Sequence, residues 1–150
     1  MKVNINEWEF EPNRMVFIHE NLSCKIIRRP QGHLTCYVSL PKNHILFGKH
    51  YDEIYFLLKD KGIMFDFELS WSEFEDSFWE VGFGYTSIRD YIPEIDGSDN
   101  QFPTWMREIE DYFKSVCPDF NIAKEYKNFD RAIHDVKILA EALNLFSIKN

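Results

Sequence analysis

Three cysteines, Cys24, Cys36 and Cys117, are too few for a disulfide framework and show no CxxC spacing. The odd count leaves at least one thiol unpaired, as expected of small buried thiols in a reducing compartment. No run of about 18 apolar residues is present, and no basic, apolar leader, so the expectation is a soluble, cytoplasmic protein with no membrane partner. Basic residues are scarce where acids are dense. Between Asp66 and Asp111, thirteen Asp and Glu face only Arg89 and Arg107, whereas residues 1–60 carry eight Lys and Arg against seven Asp and Glu. A chain of net charge −8 with that distribution lacks the basic footprint that direct nucleic-acid binding needs. It leaves two readings open, a solvated acidic surface and a docking surface for a basic protein.

What is present is core material. Apolar residues make up 45% of the 150 positions and aromatics 17%, with 14 phenylalanines, which suits one ordered domain. The densest strand signals run from Leu34 to Tyr85. Cys24–Arg29 and Leu34–Leu40 flank Pro30-Gln31-Gly32-His33, the pattern of a hairpin. Trp8 and Phe10 alternate with acids as in a short edge strand, and Met15–Ile18 is a further apolar run. Ile54–Leu58 reads as a strand, and Ile63–Leu69 alternates with a clean period of two. Ser70–Ser77 reads as an acidic connection and Phe78–Tyr85 as a strand. Within that strand Gly82 and Gly84 signal a bulge or a group packed close to the backbone. The period then changes: Trp105, Ile109, Tyr112, Phe113 and Val116 share one helical face, ended by Pro118. A last helix starting near Asn128 or Phe129 buries Phe129, Ala132, Ile133, Val136, Ala140 and Leu143. The expected fold is α+β: a mainly antiparallel sheet of about five to six strands over residues 8–85, covered by two C-terminal helices at about 104–116 and 129–146.

The segment Cys36-Tyr37-Val38-Ser39-Leu40-Pro41-Lys42-Asn43-His44, followed by Phe47-Gly48-Lys49-His50-Tyr51-Asp52, resembles a pattern in small uncharacterised proteins of bacteriophages and prophages. There a Gly-Tyr-Val strand leads to a Pro-x-x-His-Pro loop and a Tyr-Gly-x-x-Tyr element. Asp60-Lys61-Gly62-Ile63-Met64-Phe65 is similar to their His-Gly-Gly-x-Thr-Phe strand. Phe78–Asp90 is similar to their Trp-Trp-x-Gly-Phe-Asp-Cys-x-His-x-Gly-Asp run, and Leu139-Ala140-Glu141-Ala142-Leu143 to their last helix. The resemblance spans roughly residues 34–143. Trp79, Gly82, Phe83, Asp90 and His44 line up, but the polar groups of the family's strands are replaced here by Asp60, Gly84, Tyr85 and Ser87. Fold-shaping residues are kept and candidate ligands are lost. The resemblance therefore implies a phage-type accessory protein that acts by binding a host component, without chemistry of its own and without a cofactor.

The residues themselves carry the following candidates. His44, His50 and Asp52 lie within nine residues, with His19 and His33 upstream, and are weak candidate metal ligands, for which a His-bearing surface loop is the commoner explanation. A divergent metal-dependent enzyme is the reading they would support. Asp96–Asn100 lacks the glycine and glutamate positions of an EF-hand and reads as an Asx-rich turn. There is no Gly-x-Ser-x-Gly elbow, and Gly82-x-Gly84 lacks the third glycine of a phosphate loop. Glu73, Glu75, Asp76 and Glu80 form a crowded acidic segment, where a general acid/base pair would need burial. Lys25, Arg28 and Arg29, with Tyr37 and Trp79, are candidates to hold a nucleotide or other small ligand by charge and stacking. Asp66, Glu68, Glu73, Glu75, Asp76 and Glu80 are candidates for an acidic surface that blocks a basic, nucleic-acid-handling host protein, the action of a counter-defence inhibitor.

Overall fold

In the computed structural model the described residues are 11–86, Tyr112, Ser115, Val116 and 126–146. The elements are β1 (Arg14–His19), β2 (Leu22–Arg28), β3 (Leu34–Leu40), α1 (Tyr51–Asp60), β4 (Trp71–Glu75), β5 (Phe78–Gly84) and α2 (Phe129–Asn144). The strands make one five-stranded antiparallel sheet in the order β1-β2-β3-β5-β4, an α+β architecture. The anticipated edge strand around Trp8 and Phe10 lies outside the described residues, as does most of the 104–116 helix. Its three described positions are helical, and Tyr112 and Val116, expected on a buried face, are exposed.

Alternation along the strands sorts the side chains onto two faces. Leu22, Cys24 and Ile26 of β2, Leu34, Cys36, Val38 and Leu40 of β3, and Val81 and Phe83 of β5 point to one face and form the core. Helix α2 covers this face with Phe129, Ala132, Val136, Leu139, Ala140 and Leu143. Burying each leucine contributes about 2 kcal/mol, so this face dominates the fold's stability. Asn128 starts α2 by accepting the Arg131 N–H on its side chain.

Three expectations are overturned locally. Ile54–Leu58 is not a strand but the middle of α1. Ile54 and Leu58 reach the core from one helical face, His50 accepts the Asp52 N–H as N-cap, and Asp52, Glu53 and Lys59 sit with the favourable signs for the helix dipole. A five-residue apolar run does not distinguish strand from helix; the caps around it do. Ile63–Leu69 keeps its alternation, with Phe67 and Leu69 buried and Met64, Asp66 and Glu68 exposed, but belongs to no strand. It is held by ring stacking, Phe65 on Phe67 at 4.7 Å and Phe67 on Phe83 at 3.8 Å. The position at the sheet edge goes instead to β4, from the segment expected to be a connection. Ser72 of β4 accepts the Tyr51 N–H at 3.0 Å and so anchors the start of α1.

Gly82 confirms the close approach that its place in the strand signalled. It faces Tyr37 across the β3–β5 ladder, and a Cβ there would overlap the Cys36 carbonyl oxygen and stand 2.6 Å from Tyr37 Cδ1. Ring and backbone occupy the volume a side chain would need.

Candidate functional site

The sheet face turned away from α2 carries the polar and acidic side chains. In β4, Trp71, Glu73 and Glu75 lie on it, paired across the ladder with Gly82, Glu80 and Phe78. The β4–β5 turn is Asp76-Ser77, both with left-handed backbone (φ 50° and 71°), a two-residue hairpin made without glycine. Glu73, Glu75 and Asp76 are exposed, and none has an ion-pair partner among the described residues. Phe74, Phe78 and Trp71 are also exposed on this hairpin, so its acidic rim is interleaved with aromatic rings.

The other three acidic candidates differ. Glu68 is exposed on the irregular segment before β4. Asp66 is exposed but lies 3.5 Å from Arg131 Nη2 of α2. Glu80 does not belong to the acidic surface. It is buried, its Oε2 lies 2.7 Å from Lys25 Nζ, and its Oε1 accepts the Trp71 indole N–H at 3.1 Å. Two carboxylates directly opposite in a ladder, Glu73 and Glu80, repel, and Lys25 offsets that repulsion from the next strand but one.

The candidate ligand-binding set divides in two. Lys25, Arg29 and Tyr37 do assemble on this same face: Lys25 Nζ lies 5.0 Å and Arg29 Cζ 5.7 Å from the Tyr37 ring centroid. Arg29 also donates to the Tyr37 hydroxyl and, at 3.0 Å, to Thr35 Oγ1. Arg28 and Trp79 are elsewhere. Arg28 points the other way and donates to Glu11 (2.9 Å), the Gly32 carbonyl (2.7 Å) and the Tyr126 hydroxyl (2.8 Å). That hydroxyl donates in turn to Glu11 at 2.6 Å, and its pKa is raised chiefly by burial. Trp79 is on the core side, donating to the Lys49 carbonyl at 2.8 Å and packing on Phe47 and Phe74. The indole that meets Tyr37 is Trp71, edge-on at 6.3 Å. Trp71 was not legible as a site residue because its segment carried no strand signal.

The three metal candidates do not converge. His44 is buried with both ring nitrogens engaged: Nδ1 accepts the Leu46 N–H at 3.1 Å, so Nε2 carries the proton and donates to the Leu143 carbonyl at 3.0 Å. The Leu143 carbonyl, in the last turn of α2, also accepts the Phe146 N–H at 3.1 Å, so His44 is a further donor to it. His50 and Asp52 are exposed parts of the α1 cap. Burial pushes the His44 pKa below the ordinary 6.5. A depressed histidine pKa contributes stability that is complete above 6.5 and is lost as pH falls below it, because the unfolded chain takes up the proton first. Urea unfolding between pH 7 and 5 is therefore expected to show a slope in the wild type that His44→Gln reduces, by at most about 1.4 kcal/mol per pH unit. Equal slopes in the two proteins would contradict this role.

The core also holds two thiols and a carboxylate. Cys24 and Cys36 are free and buried, and desolvation pushes the Cys24 thiol up to about 11 and raises Cys36 as well. Cys117 lies outside the described residues. Asp135 of α2 is buried, accepts the Tyr85 O–H at 2.7 Å and receives Arg131 Nε at 3.0 and 3.2 Å. This buried, hydrogen-bonded group fixes α2 on the sheet, and its position inside the apolar periodicity of the helix gave no polar signal in the sequence.

Comparison of the chain with known protein families, curated proteins and solved structures finds no match. Among the described residues no helix is long and apolar enough to cross a membrane.

Proposed function

We propose that this chain is a non-enzymatic binding protein, of the phage or prophage accessory type, that docks its β4–β5 hairpin on a basic protein surface. The observation that carries this reading is the row Glu73, Glu75 and Asp76, exposed carboxylates without a cation partner among the described residues, set beside exposed Trp71, Phe74 and Phe78. Unpaired surface charge steers association, and aromatic rings supply the desolvated area that charge alone does not. A surface that normally handles nucleic acid has the matching chemistry, because it presents lysines and arginines spaced for phosphates. Blocking such a surface is the action of a counter-defence inhibitor.

The test compares wild type with the variant Glu73→Lys, Glu75→Lys, Asp76→Lys. The fold tolerates it, since a lysine at position 73 replaces a repulsion across the ladder with an attraction to Glu80. The partner captured by the wild type from a bacterial lysate is identified, and its affinity for both proteins is measured at low and at about 1 M salt, where the Debye length is about 3 Å. At least a tenfold loss is expected from charge reversal and again from salt. An affinity indifferent to both overturns the reading.

A second reading, a small anionic ligand held at Tyr37, is supported by the two cations against one ring. Glu80 already neutralises Lys25, which leaves Arg29 as the uncompensated charge and favours a singly charged or aromatic ligand over a triphosphate. A raised melting temperature with nucleotides, lost in Arg29→Ala, is its signature.

A further inference from the structure

The turn between β1 and β2 brings together three metal-ligating groups that neither reading above uses. His19 ends β1, Glu20 is the first turn residue, and Glu141 projects from α2, 122 positions from His19 in the chain. His19 Nε2 and Glu141 Oε2 are 2.7 Å apart, and one ligand atom from each of the three residues lies within 4.8 Å of the others. Around a tetrahedral zinc-class ion, with bonds of about 2.0–2.2 Å, two ligand atoms lie about 3.4 Å apart, so the His19–Glu141 pair must open by about 0.7 Å and the widest pair close by at most about 1.4 Å, movements within reach of rotations of surface side chains. Glu20 and Glu141 are exposed and His19 half-buried, so an ion enters from solvent without opening the core.

We propose that His19, Glu20 and Glu141 form a binding site for a divalent transition-metal ion of the zinc class, with water completing the coordination. One imidazole nitrogen and two carboxylates suit zinc and its neighbours, whereas magnesium prefers oxygen ligands throughout and holds its own water. Two carboxylates balance the ion's charge, and the ion removes the repulsion between Glu20 and Glu141. The bound ion fastens the outermost hairpin of the sheet to the second half of α2. This joins parts of the chain that, among the described residues, only His19 and Glu141 link by a polar side-chain contact at this corner. The site is independent of the acidic hairpin, which lies at the opposite edge of the sheet.

The full chain, stripped with a chelator and dialysed, is titrated with zinc chloride by calorimetry and followed by thermal denaturation. The expected result is saturable binding of one ion per chain, with a melting temperature that rises and is restored to its starting value by EDTA. His19→Ala and Glu141→Gln are each expected to weaken binding at least tenfold and Glu20→Gln to weaken it less, while His50→Ala leaves it unchanged. All four positions are at the surface, and far-UV circular dichroism of the metal-free variants checks that they fold. Absence of saturable zinc binding overturns the site, as does undiminished binding in the His19→Ala, Glu141→Gln double variant. An equal response to magnesium overturns the transition-metal assignment.

Discussion

Alanine at position 82 is expected to destabilise the protein by about 3 kcal/mol, the upper part of the range for overpacking a tight site. The added methyl meets the Cys36 carbonyl oxygen, a backbone atom within the central ladder, and the Tyr37 ring at 2.6 Å. Neither can swing aside. The neighbouring glycine is the internal control. A Cβ at Gly84 meets the Thr35 Cγ2 methyl at 3.0 Å, a side-chain contact near the end of the strand that a small rotation relieves. Gly84→Ala is therefore expected to cost under about 1 kcal/mol. Urea unfolding of the two variants side by side gives the comparison. Equal costs would show that Tyr37 and the β3 backbone do not pin Gly82.

Lys25→Met is the second large effect, expected at about 3 kcal/mol. Glu80 has only 6% of its side chain exposed, and without Lys25 its carboxylate keeps a single described donor, the Trp71 indole. Removing one member of a buried ion pair costs more than the pair itself contributes, because the remaining charge stays desolvated. The double variant Lys25→Met, Glu80→Gln is therefore expected to recover most of the loss. A mutant cycle from the same unfolding curves reads the coupling directly. The exposed Lys49–Glu53 pair on α1, at 3.1 Å, provides the contrast and should couple by under about 0.5 kcal/mol. If Lys25→Met is no worse than Lys49→Ala, Glu80 is not held as described.

These two positions also mark how far the sequence could be read. The β2–β3 hairpin and α2 were legible because each signal is local: glycine and proline between two β-branched runs, and a helical period beginning at an asparagine cap. Strand β4 was not, because its two faces are both exposed, so Trp71-Ser72-Glu73-Phe74-Glu75 shows no apolar stripe. The Ile63–Leu69 segment had the stripe without the strand, since alternation reports which side chains are buried and not which backbone finds a partner. Site residues followed parity. Lys25 and Arg29 lie an even number of positions apart along β2 and its extension and share a face with Tyr37, whereas Arg28 is opposed by that count alone. Trp79 and Gly82 are three apart, so once Gly82 faces Tyr37, Trp79 must point away from it. The pairing of Tyr37 with Gly82 is a long-range register, and no local pattern encodes it. Glu80 shows the same limit: its identity marked it as surface charge, and only its place opposite Ser39, within reach of Lys25, makes it interior.

The lateral rim formed by β4 has a consequence for crowded conditions. Such a rim is normally an invitation for a sister molecule to add its own ribbon and begin a stack. Here an approaching copy would present the same Glu73 and Glu75 that it meets, and each would also face the partner's Asp76 at the bend. Like charge on both copies therefore opposes edge-to-edge pairing along β4, at the margin where the proposed basic partner would dock.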